Sequence, residues 1–248
     1  MVCACAATIS DKDRSSAQLR YDLGIASLNQ GDLRSALREL LAAVQVDPEL
    51  AEAHHGLGLV FHAMGRHEDA LGHYQKAVEL KPTISEARNN YGVLLLDMGR
   101  YDLAIVEFQA ALADILYATP SLAEGNLGWA YYRKGDVPTA LKHLRNAVAI
   151  NPKFCRGYGW LARIELTPKK AEQVVAYGKR YEKHCLADPA LAAFLPAPFR
   201  QEMNYYLGAG QALLGDREAA REALAACVAA EVETEFKAQC QRSLAELR

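Results

Sequence analysis

The 248-residue sequence lacks the features that define several large classes of protein. No apolar run reaches the roughly 18 residues that a membrane-spanning helix needs. Basic residues are not in excess, because the net charge is −2, so the charge gives no indication of nucleic-acid binding. Hydrophobic residues make up 51% of the chain, which is enough for a sizeable core. The sequence therefore predicts a folded protein with no nucleic-acid partner.

Catalytic signatures are also missing. The sequence has no HExxH pair, no phosphate-binding glycine loop and no Gly-x-Ser-x-Gly motif. Five histidines lie close together in sequence, but on a helix His55 and His62 would be about 10 Å apart, too far to ligate one metal ion directly. His54 takes the usual aromatic position of the unit described below, so we expect a packed core residue there. We expect no enzyme activity, no cofactor and no metal site.

What the sequence does contain is a repeat of about 34 residues. The glycines of four Leu-Gly or Tyr-Gly pairs are spaced by 34, 34 and 36 residues. A second glycine, an alanine, a large apolar residue and a second alanine follow each pair at constant spacing. The sets are Gly24, Gly31, Ala36, Leu40 and Ala43; Gly58, Gly65, Ala70, Tyr74 and Ala77; Gly92, Gly99, Ala104, Phe108 and Ala111; Gly128, Gly135, Ala140, Leu144 and Ala147. Pro48, Pro82 and Pro152 close three of the four units.

This pattern resembles the tetratricopeptide repeat. The small residues let two helices approach closely, the second glycine ends the first helix where a positive φ is needed, and the proline starts the next turn. One helical hairpin cannot bury its own apolar face, so neighbouring units must stack. The resemblance implies an all-α fold, a right-handed superhelical solenoid of about six helix-turn-helix repeats with a C-terminal capping helix.

We expect a flexible N-terminal tether over residues 1–16 and a single tetratricopeptide-repeat domain over residues 17–248. In the fifth unit Ala162 takes the glycine position, and in the sixth Gly208 does. The 14-residue stretch "ADPALAAFLPAPFR" before the sixth unit is predicted to be a loop with a short helical turn. The expected repeats are 17–50, 51–84, 85–120, 121–154, 155–185 (degenerate) and 201–234, followed by a cap over 235–248.

The third unit is followed by an interruption, "DILYATP", in which Leu116 stands where the other units have proline. The surrounding motifs resemble the third repeat of the PilF/PilW/Tgl-type outer-membrane lipoproteins of type IV pilus systems. Ala118 stands where that family prefers proline, and Gly125 replaces a glutamate. The motifs are Asn89-Asn90-Tyr91-Gly92, Arg100-Tyr101-Asp102-Leu103-Ala104, Asp114-Ile115-Leu116-Tyr117 and Gly125-Asn126-Leu127-Gly128.

The resemblance implies a pilotin of type IV pilus biogenesis, a lipid-anchored protein on the periplasmic face of the outer membrane. Such a protein binds secretin subunits and promotes their assembly into multimers. Val2-Cys3-Ala4-Cys5 loosely matches a lipoprotein processing site, so we expect lipid attachment at Cys5, with Cys3 as second choice. Met1 would then lie inside a longer signal peptide or replace its start. The expected partners are secretin subunits and the inner leaflet of the outer membrane, and the expected state is a monomer.

The four remaining cysteines form two pairs, each centred close to a predicted turn. Cys155 and Cys185 are centred on residue 170, at the edge of "TPKK", and Cys227 and Cys240 are centred between residues 233 and 234, near "AEVET". The members of each pair could therefore face each other across a helical hairpin. Four cysteines allow three connectivities, and we favour Cys155–Cys185 with Cys227–Cys240. Disulfides would indicate an oxidising compartment such as the periplasm. The alternative is four buried free thiols.

The first helices of such repeats line a concave groove, which is the predicted partner-binding surface. Its residues are predominantly apolar and aromatic, which favours an apolar or amphipathic partner segment and argues against a carboxylate clamp. Trp129 and Tyr132 are the preferred anchors, whereas Leu59 and Val93 also fit the core between repeats. The predicted groove residues are Tyr21, Ile25, Leu28, His55, Leu59, His62, Asn89, Val93, Leu96, Trp129, Tyr132 and Arg133. The alternative function is a generic adaptor or co-chaperone that binds peptide segments of a cytosolic partner.

Overall fold

The structure is a computed structural model that describes residues 9–247. Those residues form fourteen α-helices and no strand, and the tetratricopeptide-repeat fold expected from the sequence is confirmed. Internal contacts divide the chain into two compact units, the first ending at Ala118 and the second beginning at Thr119. The sequence pattern, which predicted one domain over residues 17–248, did not indicate this division. No helix within residues 9–247 is long and apolar enough to cross a membrane.

The first unit is a stack of three helical hairpins. The helices are α1 Asp11–Asn29, α2 Leu33–Val46, α3 Ala51–Ala63, α4 His67–Leu80, α5 Ser85–Asp97 and α6 Tyr101–Leu112. Helix α1 begins earlier than predicted, because the Ser10 hydroxyl accepts a hydrogen bond from the Asp13 N–H and caps the helix. The tether predicted over residues 1–16 is therefore wrong for residues 11–16. Cys3 and Cys5 lie outside the described residues.

The turn inside each hairpin depends on a glycine in the left-handed conformation. Gly31, Gly65 and Gly99 have φ values of 78°, 72° and 74°, and the sequence prediction of positive φ at these positions is confirmed. Gly135 and Gly215 do the same in the second unit, with φ values of 95° and 82°. Other residue types are strained in this conformation because of their Cβ atom. The recurrent glycine therefore fixes where each first helix ends.

A second glycine lets the two helices of a hairpin touch. A Cβ atom added to Gly58 would lie 2.5 Å from Cδ1 of Tyr74, and one added to Gly92 would lie 2.6 Å from Cε1 of Phe108. Tyr74 and Phe108 are fully buried, so neither ring has room to move aside. The predicted close approach of paired helices is confirmed, and the large residue of the second helix fills the space that the glycine leaves.

The interruption after the third repeat is a short irregular segment between Leu112 and Pro120. The Asp114 carboxylate accepts hydrogen bonds from the Ser85 hydroxyl at 2.6 Å and from the Leu116 N–H at 2.9 Å, which ties the segment to α5. Tyr117 is buried, whereas Ile115 and Leu116 are 96% and 85% exposed. The two apolar side chains that replace the usual proline region therefore face solvent.

The second unit contains the fourth, fifth and sixth repeats and the capping helix. Its helices are α7 Pro120–Lys134, α8 Val137–Ile150, α9 Cys155–Glu165, α10 Ala171–Tyr181, α11 Pro189–Phe194, α12 Ala197–Leu213, α13 Arg217–Ala229 and α14 Glu235–Glu246. A 3₁₀ turn, Pro168–Lys170, connects α9 to α10, and a π-helical turn, Glu182–Leu186, extends α10. The predicted insertion contains the short helix α11, but its last residues already belong to α12, which begins at Ala197. The sixth repeat therefore starts earlier than residue 201.

Glycines bring α12 close to the fifth repeat. A Cβ atom on Gly159 of α9 would lie 2.8 Å from Phe199, and one on Gly178 of α10 would lie 2.7 Å from Leu207. Phe199 and Leu207 both belong to α12. The degenerate fifth repeat is thus joined to the sixth by the same small-against-large packing that operates within the regular hairpins.

Both expected cysteine pairs of the second unit lie at disulfide distance. Cys155 and Cys185 have Cα atoms 5.9 Å apart, and Cys227 and Cys240 have Cα atoms 6.3 Å apart. Both separations fall in the range that a disulfide requires. The first pair connects the start of α9 to the π-helical turn, and the second connects α13 to α14. Each pair therefore closes one hairpin.

The capping helix is also held by a buried glutamine. The Gln201 side chain of α12 donates hydrogen bonds to the carbonyl oxygens of Cys227 at 3.0 Å and Val232 at 3.1 Å, and it accepts one from the Thr234 hydroxyl. Thr234 is the N-cap of α14. This arrangement fixes the turn before α14 and positions the residues that follow it, including Phe236.

Candidate partner-binding surfaces

The predicted groove residues of the first unit lie on α1, α3 and α5, the first helices of their hairpins. Most of them are half-buried. Asn89 and Leu96 are only 6% and 8% exposed, so the prediction that they contribute to a binding surface is corrected. Ile25 also packs inward, because its Cδ1 atom would lie 3.3 Å from a Cβ atom on Gly56 of α3. These residues belong largely to the packing between repeats.

Polar contacts connect the successive first helices of this unit. His55 Nε2 of α3 lies 3.0 Å from Asn90 Nδ2 of α5, and His62 Nε2 lies 3.0 Å from Asp97 Oδ2. Burial lowers the pKa of His55 to about 4, although Glu86 and Glu52 favour its charged form. His55 is therefore neutral at physiological pH, and its Nε2 accepts the hydrogen bond from the Asn90 amide.

The face of the first unit is more polar than the sequence pattern indicated. Burial and the nearby Glu52 carboxylate raise the pKa of Tyr21. Burial alone would raise the pKa of the Glu52 carboxyl, but the hydrogen bond that it accepts from Lys81 Nζ at 2.7 Å, together with a backbone hydrogen bond and the charge of Lys81, lowers it. Carboxylates thus accompany the histidines, the tyrosine and the partly exposed apolar side chains of this surface, which remains a predicted groove.

The second unit presents an aromatic cluster. Trp129 of α7 stacks on Trp160 of α9 with ring centroids 5.1 Å apart and planes inclined by 11°. Tyr132, one turn after Trp129 on α7, has its ring centroid 5.0 Å from Trp129. The guanidinium carbon of Arg163 lies 5.8 Å from the Trp129 ring, within the range of a cation–π contact. We call Trp129, Tyr132 and Trp160 the aromatic cluster. All three are partly exposed, and Arg133 next to them is exposed.

Sequence reasoning placed Trp129 and Tyr132 on the binding face but missed Trp160. Trp160 lies two residues before Ala162, and the equivalent positions of the first four units are Asp22, Gly56, Asn90 and Asn126. These residues share no aromatic character, so the repeat pattern gave no signal.

Beside the aromatic cluster the second unit has an open cavity of about 360 Å³. Trp160 belongs to both features. The walls combine α9, the insertion before α12, α12 itself and the start of α14, and we call this space the C-terminal cavity. Its lining residues are Arg156, Gly159, Trp160, Pro196, Pro198, Phe199, Glu202, Thr234, Glu235 and Phe236. Within the described residues, no group of three histidine, cysteine, aspartate or glutamate side chains could hold a metal ion.

Comparisons with known proteins agree with this architecture. Models of the tetratricopeptide repeat match residues 21–83, 73–106 and 123–154. No curated protein matches the chain in sequence. The solved structures similar to this chain include that of PilW, described as a widely conserved type IV pilus biogenesis factor. It has a TM-score of 0.75 and 23% identity, and the match covers 91% of this chain and 98% of PilW.

Two further solved structures are similar over most of their length. PilF of Pseudomonas aeruginosa has a TM-score of 0.78 and 20% identity, with 94% of this chain and all of that chain covered. MamA has a TM-score of 0.57 and 24% identity, with 68% of this chain and 92% of that chain covered. Identities this low establish the fold alone. The protein has the tetratricopeptide-repeat fold, and it shares that fold with PilW and PilF over more than nine-tenths of its length.

Proposed function

We propose that this protein is a pilotin of a type IV pilus system, a lipid-anchored periplasmic protein that binds secretin subunits and promotes their assembly in the outer membrane. The observation that carries the proposal is the likeness to PilW, a type IV pilus biogenesis factor, over 91% of this chain and 98% of that one. A match of this extent runs beyond the four regular repeats, which end at residue 154.

Two independent features support this assignment. The motifs around "DILYATP" resemble those of the PilF/PilW-type lipoproteins at the interruption that follows the third repeat. The two cysteine pairs at disulfide distance fit a protein that folds in an oxidising compartment, because such pairs stay reduced in most cytosolic proteins. Cys5, or Cys3 as second choice, would carry the lipid anchor.

The mechanism that we propose is the shielding of an apolar secretin segment. A secretin subunit in transit through the periplasm exposes surface that the multimer later buries, and such surface drives aggregation. The aromatic cluster offers rigid apolar rings with a polar rim that includes Arg133 and Arg163, which is the composition of a binding hot spot. Binding there would keep the subunit competent for assembly until neighbouring subunits replace the pilotin.

The experiment is a comparison of heat-resistant secretin multimers in envelopes of cells with and without this gene. We expect the multimer to disappear while the monomer remains, and we expect a plasmid copy of the gene to restore it. An unrelated outer-membrane multimer on the same gel controls for general envelope damage. Unchanged secretin multimers would contradict the proposal and leave the alternative of a peptide-binding adaptor, which an affinity capture from the cytosol and the periplasm would then examine.

The anchor is tested separately by substituting Cys5→Ala and Cys3→Ala. We expect only one of the two variants to lose incorporation of a labelled fatty acid and to appear in the soluble periplasmic fraction. Retention of the label in a variant that carries both substitutions would contradict lipid attachment at Cys3 or Cys5, whether or not the secretin multimer forms.

A further inference from the structure

The C-terminal cavity is the feature of this molecule that the proposed function leaves unexplained. It lies in the second unit, and part of its wall comes from Pro196, just before α12, and from Pro198 and Phe199 in the first turn of α12. With about 360 Å³, the space is large enough for one long side chain of a bound peptide.

The apolar part of the lining is aromatic. Trp160 comes from α9, Phe199 from α12 and Phe236 from α14, so three different helices each contribute one ring. The stack on Trp129 and the contact of Phe199 with Gly159 hold two of these rings in place. Gln201 and the Cys227–Cys240 pair hold the third, because they fix the turn that precedes Phe236. The rings are therefore positioned before any ligand arrives.

Two carboxylates, Glu202 and Glu235, complete the lining. Neither forms an ion pair with a lysine or arginine among the described residues. Burial raises the pKa of Glu202, although the hydrogen bond that the Tyr206 hydroxyl donates to it at 3.0 Å and the charges of Arg163 and Arg156 favour its ionised form. Arg156 also lines the cavity, but its guanidinium carbon lies 5.9 Å from the Trp160 ring and the side chain is exposed. Both acids thus keep hydrogen-bonding capacity that no lysine or arginine of the described residues takes up at ion-pair distance.

The chemistry of the lining selects among possible occupants. A purely apolar side chain would remove water from Glu202 and Glu235 and give no hydrogen bond in return, which is unfavourable. An acidic side chain would be repelled by both carboxylates. An arginine or lysine satisfies both parts of the lining, since its methylenes pack on the aromatic rings while its charged group pairs with the acids.

We infer that the C-terminal cavity binds a basic side chain, arginine in preference to lysine, from an extended segment of a partner protein. Arginine is preferred because a planar guanidinium can stack on an aromatic ring and bond two carboxylates at once. The inference does not depend on the identity of the partner as a secretin, because it concerns only the chemistry of the cavity.

The test uses defined peptides and the full-length protein. The chain contains only two tryptophans, so its two indole N–H signals are resolved by NMR, and Trp160→Phe identifies the one from the cavity. The probes are Ac-Ala-Ala-Arg-Ala-Ala-amide and the same peptide with citrulline, a neutral isostere of arginine, or norleucine, an apolar chain of similar length. We expect the arginine peptide to shift the Trp160 signal and to bind about tenfold more tightly than either control.

Matched variants assign the selectivity to the acids. Glu202→Gln and Glu235→Gln remove one charge each, and glutamine at position 202 still accepts the hydrogen bond from Tyr206. We expect both variants to lose the preference for arginine over citrulline, whereas Glu218→Gln on the exposed part of α13 keeps it. Circular dichroism verifies that each variant is folded. Equal binding of the arginine and norleucine peptides would overturn the inference, and so would the absence of any shift of Trp160 up to about 10 mM peptide.

Discussion

The indole rings of Trp129 and Trp160 are nearly parallel, with centroids 5.1 Å apart, although they belong to different repeats. Trp129 is on the first helix of a regular repeat and Trp160 on the first helix of a degenerate one. The stack therefore joins the first helices of the fourth and fifth repeats, at the point in the chain where the repeat motif is lost. Aromatic pairs in such offset arrangements contribute about 0.5–1.5 kcal/mol beyond their buried area.

Replacing Trp129 with alanine should weaken binding of the secretin partner about 10- to 100-fold, because aromatic anchors of this type carry a large share of interface energy. Tyr132→Ala should act in the same direction. The measurement is calorimetric titration with a periplasmic secretin fragment, together with circular dichroism to verify unchanged helical content.

The matched control for these variants is Phe194→Ala, which removes an aromatic ring of the same unit that is 86% exposed and lies outside the aromatic cluster. We expect its affinity to equal that of the unmodified protein. Full affinity of the Trp129→Ala protein, or loss of its helical content, would show that the cluster is structural and not a binding surface.

Two glycines of the first unit should respond in opposite directions to the same substitution. Gly92→Ala should lower the free energy of unfolding by about 1–3 kcal/mol, because the new Cβ atom would meet the buried Phe108 ring at 2.6 Å. No atom lies within 4 Å of the place that a Cβ atom on Gly72 would take. Gly72→Ala should therefore raise the free energy of unfolding by up to about 1 kcal/mol, because alanine has the higher helix propensity. Urea denaturation of both variants provides the measurement, and equal effects of the two substitutions would refute this account of the packing.

Breaking the two cysteine pairs should destabilise the second unit. In the chain-entropy model, loops with sequence separations of 30 and 13 correspond to about 3–4 and about 3 kcal/mol of stabilisation. We expect dithiothreitol to lower the melting temperature of the protein, and Cys155→Ala with Cys185→Ala to have a larger effect than Cys227→Ala with Cys240→Ala. The same melting temperature with and without reductant, in a protein whose thiols are shown to be oxidised, would contradict this.

Acidification should destabilise the first unit through His55. In the folded protein burial lowers the pKa of His55 to about 4, whereas in the unfolded chain its pKa is near the ordinary histidine value of 6.5. Between these values the unfolded state binds more protons, so the free energy of unfolding falls as the pH decreases from about 6.5 to about 4 and is unaffected by His55 above that window. The lowered pKa values of His54 and His73 act in the same direction.

The contribution of His55 is isolated with His55→Gln, whose amide can still bond Asn90. Urea denaturation at pH 7 and pH 5 should show a smaller loss of stability in this variant than in the unmodified protein. An identical loss in both would mean that His55 does not carry the effect, and NMR titration of its ring signals would then show a pKa near the ordinary value.

The regular repeats could be predicted because their constraints are local. Gly31 must accept a positive φ and Gly58 must leave room for Tyr74, and each requirement places a specific residue type at a fixed distance along the chain. Cys155 and Cys185 lie at similar distances along the chain from the turn between their helices, and this spacing predicts that they face each other. Contacts within one hairpin are thus encoded by spacing, and the sequence alone is sufficient to find them.

Other features depend on contacts between hairpins, which spacing does not encode. The helical position of Leu96 predicted that it lines the groove, but packing buries this side chain. The sequence pattern also gave no indication that Trp160 contacts Trp129. The C-terminal cavity needs four separate segments, and the residue types of its wall follow no repeat. The sequence by itself determined the tetratricopeptide-repeat fold, because that fold is a sum of local rules. Only the tertiary structure decided which side chains the binding surface exposes, because exposure depends on what neighbouring hairpins leave uncovered.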